Sequence, residues 1–226
     1  MKNANSRFSR RKMERSSGSA ANGLMTGSKS RTRLSAFSNS NSTVRRKAKT
    51  ISVNGERFEE LISEPRIRRR VRELAHEIST EYRGKVPVFI GVLNGSFIFF
   101  SDLIRDVTID CEVDFLKLSS YGDAKISSGT VRLLKDLNCQ VEGRHIIIVE
   151  DIVDSGLSME YIKRLILHQN PASLRIVTLL YKPEAVKSDI QLDYIGFAIP
   201  KDFVIGYGLD YAQRERNLRA IYRMKK

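Results

Sequence analysis

The sequence predicts an α/β fold in which a mainly parallel, twisted sheet is flanked by helices. Several short runs of β-branched and other apolar residues lack polar alternation, which is typical of strands buried on both faces of a parallel sheet. Segments with helical spacing of apolar residues alternate with these runs along the chain. Right-handed crossovers between such strands are expected to place helices on both faces of the sheet.

The elements follow in chain order. The spacing of Ile67, Val71, Leu74 and Ile78 predicts an amphipathic helix of about 16 residues that begins at Pro65. The remaining predicted elements are a buried strand over 86–93, a tight turn over 94–96, a helix over 97–105, a strand over 113–118, a returning hairpin strand over 131–137, a strand from 145, a helix over about 159–168, and strands over 174–181 and 194–199.

Positive charge is concentrated in the first fifty residues, where 13 Lys and Arg stand against one acid, Glu14, and supply +12 of the net +13. This segment is poor in large apolar residues and cannot bury enough surface to offset the entropy of ordering. We therefore expect residues 1–49 to be a disordered basic tail and residues 50–226 to form one domain. The tail has three open roles, namely none, organelle targeting, or contact with RNA or another polyanion.

The rest of the chain is nearly neutral, so the sequence does not indicate a nucleic-acid-binding surface on the folded body. Cys111 and Cys139 lie 28 residues apart without a CxxC pair, which suggests neither a disulfide framework nor a zinc site. No apolar run approaches the roughly 18 residues needed to cross a bilayer. We expect a cytoplasmic protein without membrane contact, with organelle targeting through the tail as the alternative.

The segment 145–158 organises the expected site. Its apolar strand is predicted to end abruptly at two carboxylates, Glu150 and Asp151. A short loop of Asp, Ser and Gly then opens a helix, where free N–H groups and the helix dipole favour an anion. The glycine lets the backbone approach a phosphate, the hydroxyls can donate to it, and the acidic pair can accept hydrogen bonds from vicinal sugar hydroxyls. Ribose 5-phosphate carries both kinds of group.

The segment 149–156, Val-Glu-Asp-Ile-Val-Asp-Ser-Gly, resembles the 5-phosphoribosyl-1-pyrophosphate (PRPP) signature of type I phosphoribosyltransferases. Other motifs resemble, in order and spacing, the hypoxanthine-guanine phosphoribosyltransferase family. They are Leu93-Asn94-Gly95-Ser96, Ser120-Tyr121, Leu180-Tyr181-Lys182, Phe203-Val204-Ile205-Gly206-Tyr207, Leu209-Asp210-Tyr211 and Arg216. The resemblance covers residues 52–224 and implies the type I phosphoribosyltransferase fold, with a small hood formed by the N- and C-terminal segments.

The resemblance implies a PRPP site built from the acidic pair, the loop after it, the peptide after the strand over 86–93, and a guanidinium for pyrophosphate. The implied residues are Leu93, Asn94, Gly95, Glu150, Asp151, Asp154, Ser155, Gly156, Leu157, Ser158 and Arg216. Many relatives have other residues at 157 and 158, and some have lysine at 94, which concerns affinity rather than reaction type. Without the resemblance, Arg216 with Arg214 and Arg219 would indicate an ordinary charged helix face.

Asp154 is the implied catalytic residue, because it resembles the family's aspartate that accepts or shares the N7 proton of the purine. A free aspartate has a pKa near 3.9, so positioning must supply much of its effect at neutral pH. The alternative is that Asp154 caps the following helix, since Asp and Ser-Gly are common at helix starts.

The implied purine site consists of Lys182, Phe203, Val204 and Asp210. Lys182 would donate to the carbonyl oxygen of a 6-oxopurine and disfavour the amino group of adenine. Phe203 offers a ring for stacking, while the backbone of Val204 and Asp210 would contact the N1 and N2 edge. Taken singly, Phe203 is more often a core residue and Lys182 a solvated charge.

Magnesium is the implied cofactor, because Mg²⁺ bridges phosphate oxygens and needs only one or two protein carboxylates. Asp210 is the candidate metal-contacting carboxylate, and Glu150 and Asp151 would hold ribose hydroxyls or metal-bound water. Ser120 and Tyr121 resemble the dipeptide of a mobile loop that closes over the site and excludes water.

The sequence therefore predicts a purine-salvage enzyme that transfers the phosphoribosyl group from PRPP to hypoxanthine or guanine. One alternative is a phosphoribosyltransferase that prefers xanthine or adenine. The other is a regulator of the same fold that binds RNA, which the basic tail would support. The resemblance also suggests a homodimer or homotetramer.

Overall fold

The computed structural model describes residues 49–120, 131–187 and 189–225. In chain order the elements are β1 (Thr50–Val53), β2 (Glu56–Ile62), α1 (Glu64–Glu81), β3 (Val88–Leu93), α2 (Phe97–Asp106), β4 (Glu112–Ser120), β5 (Val131–Lys135), β6 (His145–Val153), α3 (Leu157–Leu167), β7 (Ser173–Tyr181), β8 (Tyr194–Ala198), β9 (Val204–Ile205) and β10 (Ile221–Met224).

The central sheet has six strands in the order β5-β4-β3-β6-β7-β8. All neighbouring pairs are parallel except β4 and β5, which pair antiparallel as the predicted hairpin. Alternate residues of the central strands pack on opposite faces. Phe89 and Ile147 contact the core under α1 and α2, whereas Ile90 and Ile148 contact α3. The expected α/β fold with helices on both faces is confirmed.

A second, antiparallel sheet has the order β1-β2-β10-β9. Its strands come from the first and the last segments of the described chain. The hood was expected to form from these two segments. Its core consists of Phe58, Ile205 and Tyr222 with smaller neighbours. This sheet carries β9 and the chain after it, and these segments hold several of the expected site residues.

The predicted helices and strands are present, and their ends differ from expectation by two residues or fewer except in β6. The prediction that Glu150 and Asp151 end that strand is wrong, because β6 continues to Val153, which pairs with Tyr181 of β7. The hydrogen bonds between strands are made by backbone groups and do not depend on the polarity of the side chains. Strand β7 supplies backbone partners as far as Val153. The acidic pair therefore lies within the sheet.

The expected tail over 1–49 lies outside the described residues, apart from Lys49. The proposed boundary falls next to the first strand, which begins at Thr50. Within the described part of the chain, no helix combines the length and apolar character required to cross a membrane.

Asp114 joins β4 to the chain that follows β5. It is 7% exposed, and its carboxylate accepts hydrogen bonds of 2.6–2.9 Å from the backbone N–H groups of Phe115, Asn138 and Cys139. Lys135 Nζ lies 3.3 Å from Oδ1. Burial alone would raise the pKa of Asp114, but these donors outweigh it and hold the pKa at about 2.

We expect Asp114→Asn to lower the free energy of unfolding by about 2 kcal/mol at neutral pH, because the amide cannot accept from every donor that surrounds this group. The folded pKa lies below the unfolded value, so the contribution is complete above about pH 5 and is lost as the pH falls toward 2. Denaturant unfolding at several pH values measures it. Asp110→Asn, at an exposed position, is the matched control. Equal stability of the two variants at pH 7 would contradict the prediction.

Candidate active site

The carboxyl ends of β3 and β6 lie where the strand order reverses. From β3 the chain moves outward to β4 and then returns to place β6 on the other side of β3. The helix after β3 packs on one face of the sheet and the helix after β6 on the other. The two connecting loops therefore diverge and leave a crevice, which is the usual ligand position in open α/β sheets.

Glu150 and Asp151 lie in β6 on the approach to this crevice. Asp151 is 8% exposed and Glu150 is half-buried. Burial raises the pKa of Glu150 well above its usual value, and the adjacent Asp151 charge raises it further. Burial also raises the pKa of Asp151. A raised pKa means that the charged carboxylate is disfavoured. A cation or a hydrogen-bond donor from a ligand would stabilise the charged form.

The loop after β3 lies directly against the acidic pair. A Cβ on Gly95 would lie 1.7 Å from Oδ2 of Asp151, so only glycine permits this approach. The Leu93–Asn94 peptide bond is cis, and Asn94 is exposed. The predicted turn over 94–96 is present, and Ser96 Oγ donates to the Val92 carbonyl at 2.6 Å as α2 begins. The structure thus brings together Gly95 and Asp151, two of the expected PRPP residues.

The loop after β6 forms a small anion-sized recess. Gly156 has φ +84°, a conformation that favours glycine, and directly precedes α3. The recess has a volume of about 130 Å³ and is lined by residues 150, 152–156, 158 and 159. Leu157 and Ser158 are exposed in the first turn of the helix. The first N–H groups of a helix lack intrahelical partners, so this recess suits a phosphate.

Asp154 and Lys182 form an ion pair. Lys182 Nζ donates to Oδ2 of Asp154 at 2.7 Å, and the Lys182 backbone N–H donates to the Val153 carbonyl at 3.0 Å. The lysine side chain is 8% exposed and the aspartate side chain 53%. A buried ammonium with an exposed partner can exchange that partner for a ligand acceptor. The alternatives of a helix cap and a solvated lysine do not describe this arrangement, because α3 has no side-chain cap and Lys182 is buried.

Phe203 is 45% exposed and is held by two other rings. Its ring centroid lies 5.6 Å from that of Tyr211 and 6.4 Å from that of Phe58, with tilted or edge-on geometry. The next residue, Val204, is buried in β9. The Phe203 ring is thus held by aromatic neighbours while the side chain keeps a large exposed area, which is suitable for stacking a flat heterocycle.

Arg216 is oriented by three acceptors. Its guanidinium donates to the Gly208 carbonyl at 2.8 Å and to Gln213 Oε1 at 3.1 Å, and it lies 2.8 Å from Oδ1 of Asp210. The Gln213 N–H donates to Oδ2 of Asp210 at 2.8 Å. Residues 212–219 form turns and irregular backbone and contain no helix, so the alternative of a charged helix face is wrong. Sequence reasoning did not identify Gly208 and Gln213 as partners of Arg216. The two glycines on either side of Tyr207 were a signal that the backbone packs closely there.

Magnesium fits this donor set. Over residues 49–120, 131–187 and 189–225, no three His, Cys, Asp or Glu residues lie together as a complete metal cage. Mg²⁺ does not require one, since it is usually held by one or two carboxylates together with substrate phosphates and water. Oδ2 of Asp210 accepts one hydrogen bond and Oδ1 makes one ion-pair contact, so both oxygens retain lone pairs for another ligand.

The expected mobile-loop residues cannot be placed together. Ser120 is the last residue of β4, and Tyr121 lies outside the described residues.

Comparison with known proteins gives a consistent assignment. Residues 58–212 match the model of the phosphoribosyl transferase domain. The chain is 49% identical over 158 residues to the hypoxanthine-guanine phosphoribosyltransferase of Bacillus subtilis (strain 168), covering 70% of this chain and 88% of that protein.

Two solved structures are similar in fold. The hypoxanthine-guanine phosphoribosyltransferase of Bacillus anthracis has a TM-score of 0.70 and 43% identity, covering 73% of this chain and 96% of that chain. The hypoxanthine phosphoribosyltransferase of Staphylococcus aureus has a TM-score of 0.71 and 40% identity, covering 74% and 91%. The chain therefore belongs to the phosphoribosyl transferase family and, within it, to the hypoxanthine-guanine phosphoribosyltransferases.

Proposed function

We propose that this protein transfers the 5-phosphoribosyl group from PRPP to hypoxanthine or guanine and forms IMP or GMP and pyrophosphate. The observation that carries the proposal is the position of the acidic pair Glu150 and Asp151, which lies between the recess before α3 and the glycine loop after β3. A ribose with a phosphate at one end and a pyrophosphate at the other matches this arrangement. The family and its closely similar members support the same reaction.

The phosphate end is bound by the start of α3. Backbone N–H groups of the first turn and the hydroxyls of Ser155 and Ser158 donate to the 5′-phosphate, and Gly156 leaves room for its approach. Glu150 and Asp151 accept hydrogen bonds from the ribose hydroxyls. This binding fixes the anomeric carbon near the end of β6, so much of the rate enhancement comes from orientation.

The base end uses the ion pair of Lys182 and Asp154. A 6-oxopurine presents a carbonyl oxygen that accepts from Lys182 and an N7–H group that donates to Asp154. Lys182 and Asp154 thus each exchange their contact with the other for a contact with the base. Adenine instead directs an amino group at the ammonium and leaves a buried donor without an acceptor. Phe203 stacks on the base. Asp154 then accepts or shares the N7 proton as the bond to the sugar forms.

The leaving group is received by Arg216 and the loop at Gly95. Departing pyrophosphate gains negative charge, and the guanidinium, already oriented by Asp210, meets that charge without reorganising. When bound, Mg²⁺ would neutralise further charge on the phosphate oxygens, with Asp210 as its principal protein carboxylate and Glu150 and Asp151 nearby. Ser120 and Tyr121 belong to the loop that we propose closes over the site.

The remaining properties are proposals of the same kind. We propose that residues 50–226 form the catalytic domain, that the protein acts in the cytoplasm, and that it assembles as a homodimer or homotetramer. Size-exclusion chromatography with light scattering measures the assembly state.

We expect nucleotide formation with hypoxanthine and guanine but not with adenine when each base is supplied with PRPP and Mg²⁺. Chromatographic detection of the nucleotide and measurement of pyrophosphate release check this, with reactions lacking Mg²⁺ or base as controls. A parallel reaction with xanthine shows whether the enzyme also accepts this third 6-oxopurine. Preference for adenine would refute the role of Lys182, and salt-sensitive RNA binding without any nucleotide product would favour a regulator.

Asp154→Asn is expected to reduce kcat on the order of a hundredfold, because the amide cannot accept the N7 proton while its size is unchanged. The KM for PRPP should change little. Steady-state kinetics measure both, and Asp189→Asn, at an exposed position, is the matched control. Retention of wild-type kcat by Asp154→Asn would show that Asp154 is not the catalytic group.

Deletion of residues 1–48 should change kcat and both KM values by less than about twofold, since the expected site residues all lie beyond that segment. Kinetics of the full chain and the truncated chain, prepared in parallel, test this. A large loss of turnover with retained folding would assign the tail a part in catalysis.

A further inference from the structure

Three successive residues with positive φ form a sharp loop between β9 and Asp210. The φ angles of Gly206, Tyr207 and Gly208 are +93°, +52° and +102°. Glycine adopts such angles freely, but a tyrosine does so at a cost and needs surrounding structure to hold it there. The contacts of Tyr207 therefore decide whether this loop keeps its shape.

The Tyr207 side chain anchors the loop to α2. Its hydroxyl donates to Oδ2 of Asp102 at 2.6 Å, and the tyrosine is only 5% exposed. Burial raises the pKa of Tyr207, and the hydrogen bond to Asp102 raises it further, so the phenol remains a donor at physiological pH. A neutral donor paired with a carboxylate makes one of the stronger kinds of hydrogen bond.

The anchored loop touches both groups assigned to pyrophosphate. The Gly208 carbonyl accepts from Arg216 Nη1 at 2.8 Å, and the Gly208 N–H donates to the Arg216 carbonyl at 2.9 Å. On the other side, a Cβ on Gly208 would lie 2.1 Å from the Gly95 carbonyl oxygen. Displacement of Gly208 would therefore move Arg216, disturb the loop at Gly95, or do both.

The partner of Tyr207 is placed so that one hydrogen bond joins these segments. Asp102 lies in α2, and α2 begins directly after the Asn94-Gly95-Ser96 turn. The bond from Tyr207 to Asp102 thus ties the loop that orients Arg216 to the helix that carries the Gly95 loop. Neither Tyr207 nor Asp102 needs to contact a substrate for this effect.

We propose that Tyr207 and Asp102 are a positioning pair for the pyrophosphate end of the site, acting through the Gly208 carbonyl on Arg216 and through Gly208 packing on Gly95. The proposal rests on the proposed function, because it assigns these two residues to the binding of one part of PRPP. It predicts that loss of the hydrogen bond weakens PRPP binding and leaves purine binding unchanged.

The first test is Tyr207→Phe, which removes one hydroxyl and keeps the ring. We expect the KM for PRPP to rise about tenfold, the size expected for one charge-assisted hydrogen bond, while the KM for hypoxanthine at saturating PRPP stays within about twofold. Tyr222→Phe is the matched control. Tyr222 is also buried, at 8% exposed, and its hydroxyl makes no hydrogen bond to any residue that the structure describes.

The second test changes the acceptor. Asp102→Asn retains an oxygen that accepts from the phenol and should keep the KM for PRPP within about threefold of wild type. Asp102→Leu removes the acceptor and should match Tyr207→Phe. The double variant Tyr207→Phe/Asp102→Leu should be no worse than the single variants, because both remove the same interaction. If Tyr207→Phe does not fold, the comparison of Asn and Leu at position 102 decides the question alone.

The outcomes separate this proposal from the proposed function. If the wild-type protein forms no nucleotide from PRPP and any 6-oxopurine, the proposed function fails first. If the wild type is active but Tyr207→Phe and Asp102→Leu leave the KM for PRPP unchanged, only the positioning role is refuted. A loss of thermal stability with equal changes in both KM values would also refute it, since it would show a purely structural bond.

Discussion

The site depends on close backbone contacts that only glycine permits. Gly95 lies between the Asp151 carboxylate and Gly208, and a Cβ on either glycine would overlap its neighbour. These contacts bring the loop after β3, the end of β6 and the loop after β9 into one crevice, although they lie far apart in the chain. Packing without side chains leaves space for a phosphate-rich ligand and exposes backbone groups to bind it.

The cations of the crevice are paired with carboxylates in the structure, whereas the adjacent carboxylates of β6 are not paired with a cation by any described ion pair. Lys182 and Arg216 each have a carboxylate partner in the structure, Asp154 and Asp210 respectively. The acidic pair instead has raised pKa values, with Asp151 buried and Glu150 half-buried. Paired cations remain oriented without a ligand, whereas the acidic pair gains most when hydroxyls or a cation arrive.

Local sequence patterns were sufficient for most of the fold. Apolar periodicity predicted α1 and α3 to within two residues, and the apolar runs predicted the parallel strands. The error in β6 arose because Glu150 and Asp151 were taken as a stop signal, whereas β7 continues the backbone ladder beyond them. None of the four strands of the second sheet, β1, β2, β9 and β10, was predicted. The shortest, β9, has only two residues and depends on long-range pairing with β10, so no local pattern indicates it.

The sequence by itself determined the α/β class, the order of the elements from α1 to β8 and, through resemblance, the residues expected at the site. Only the tertiary structure decided how those residues meet. The ion pair of Lys182 with Asp154 joins positions 28 residues apart, and the bond of Tyr207 to Asp102 joins positions 105 apart. Such contacts depend on sheet order and on the direction of each loop, which are set by packing of the whole domain and not by any local pattern.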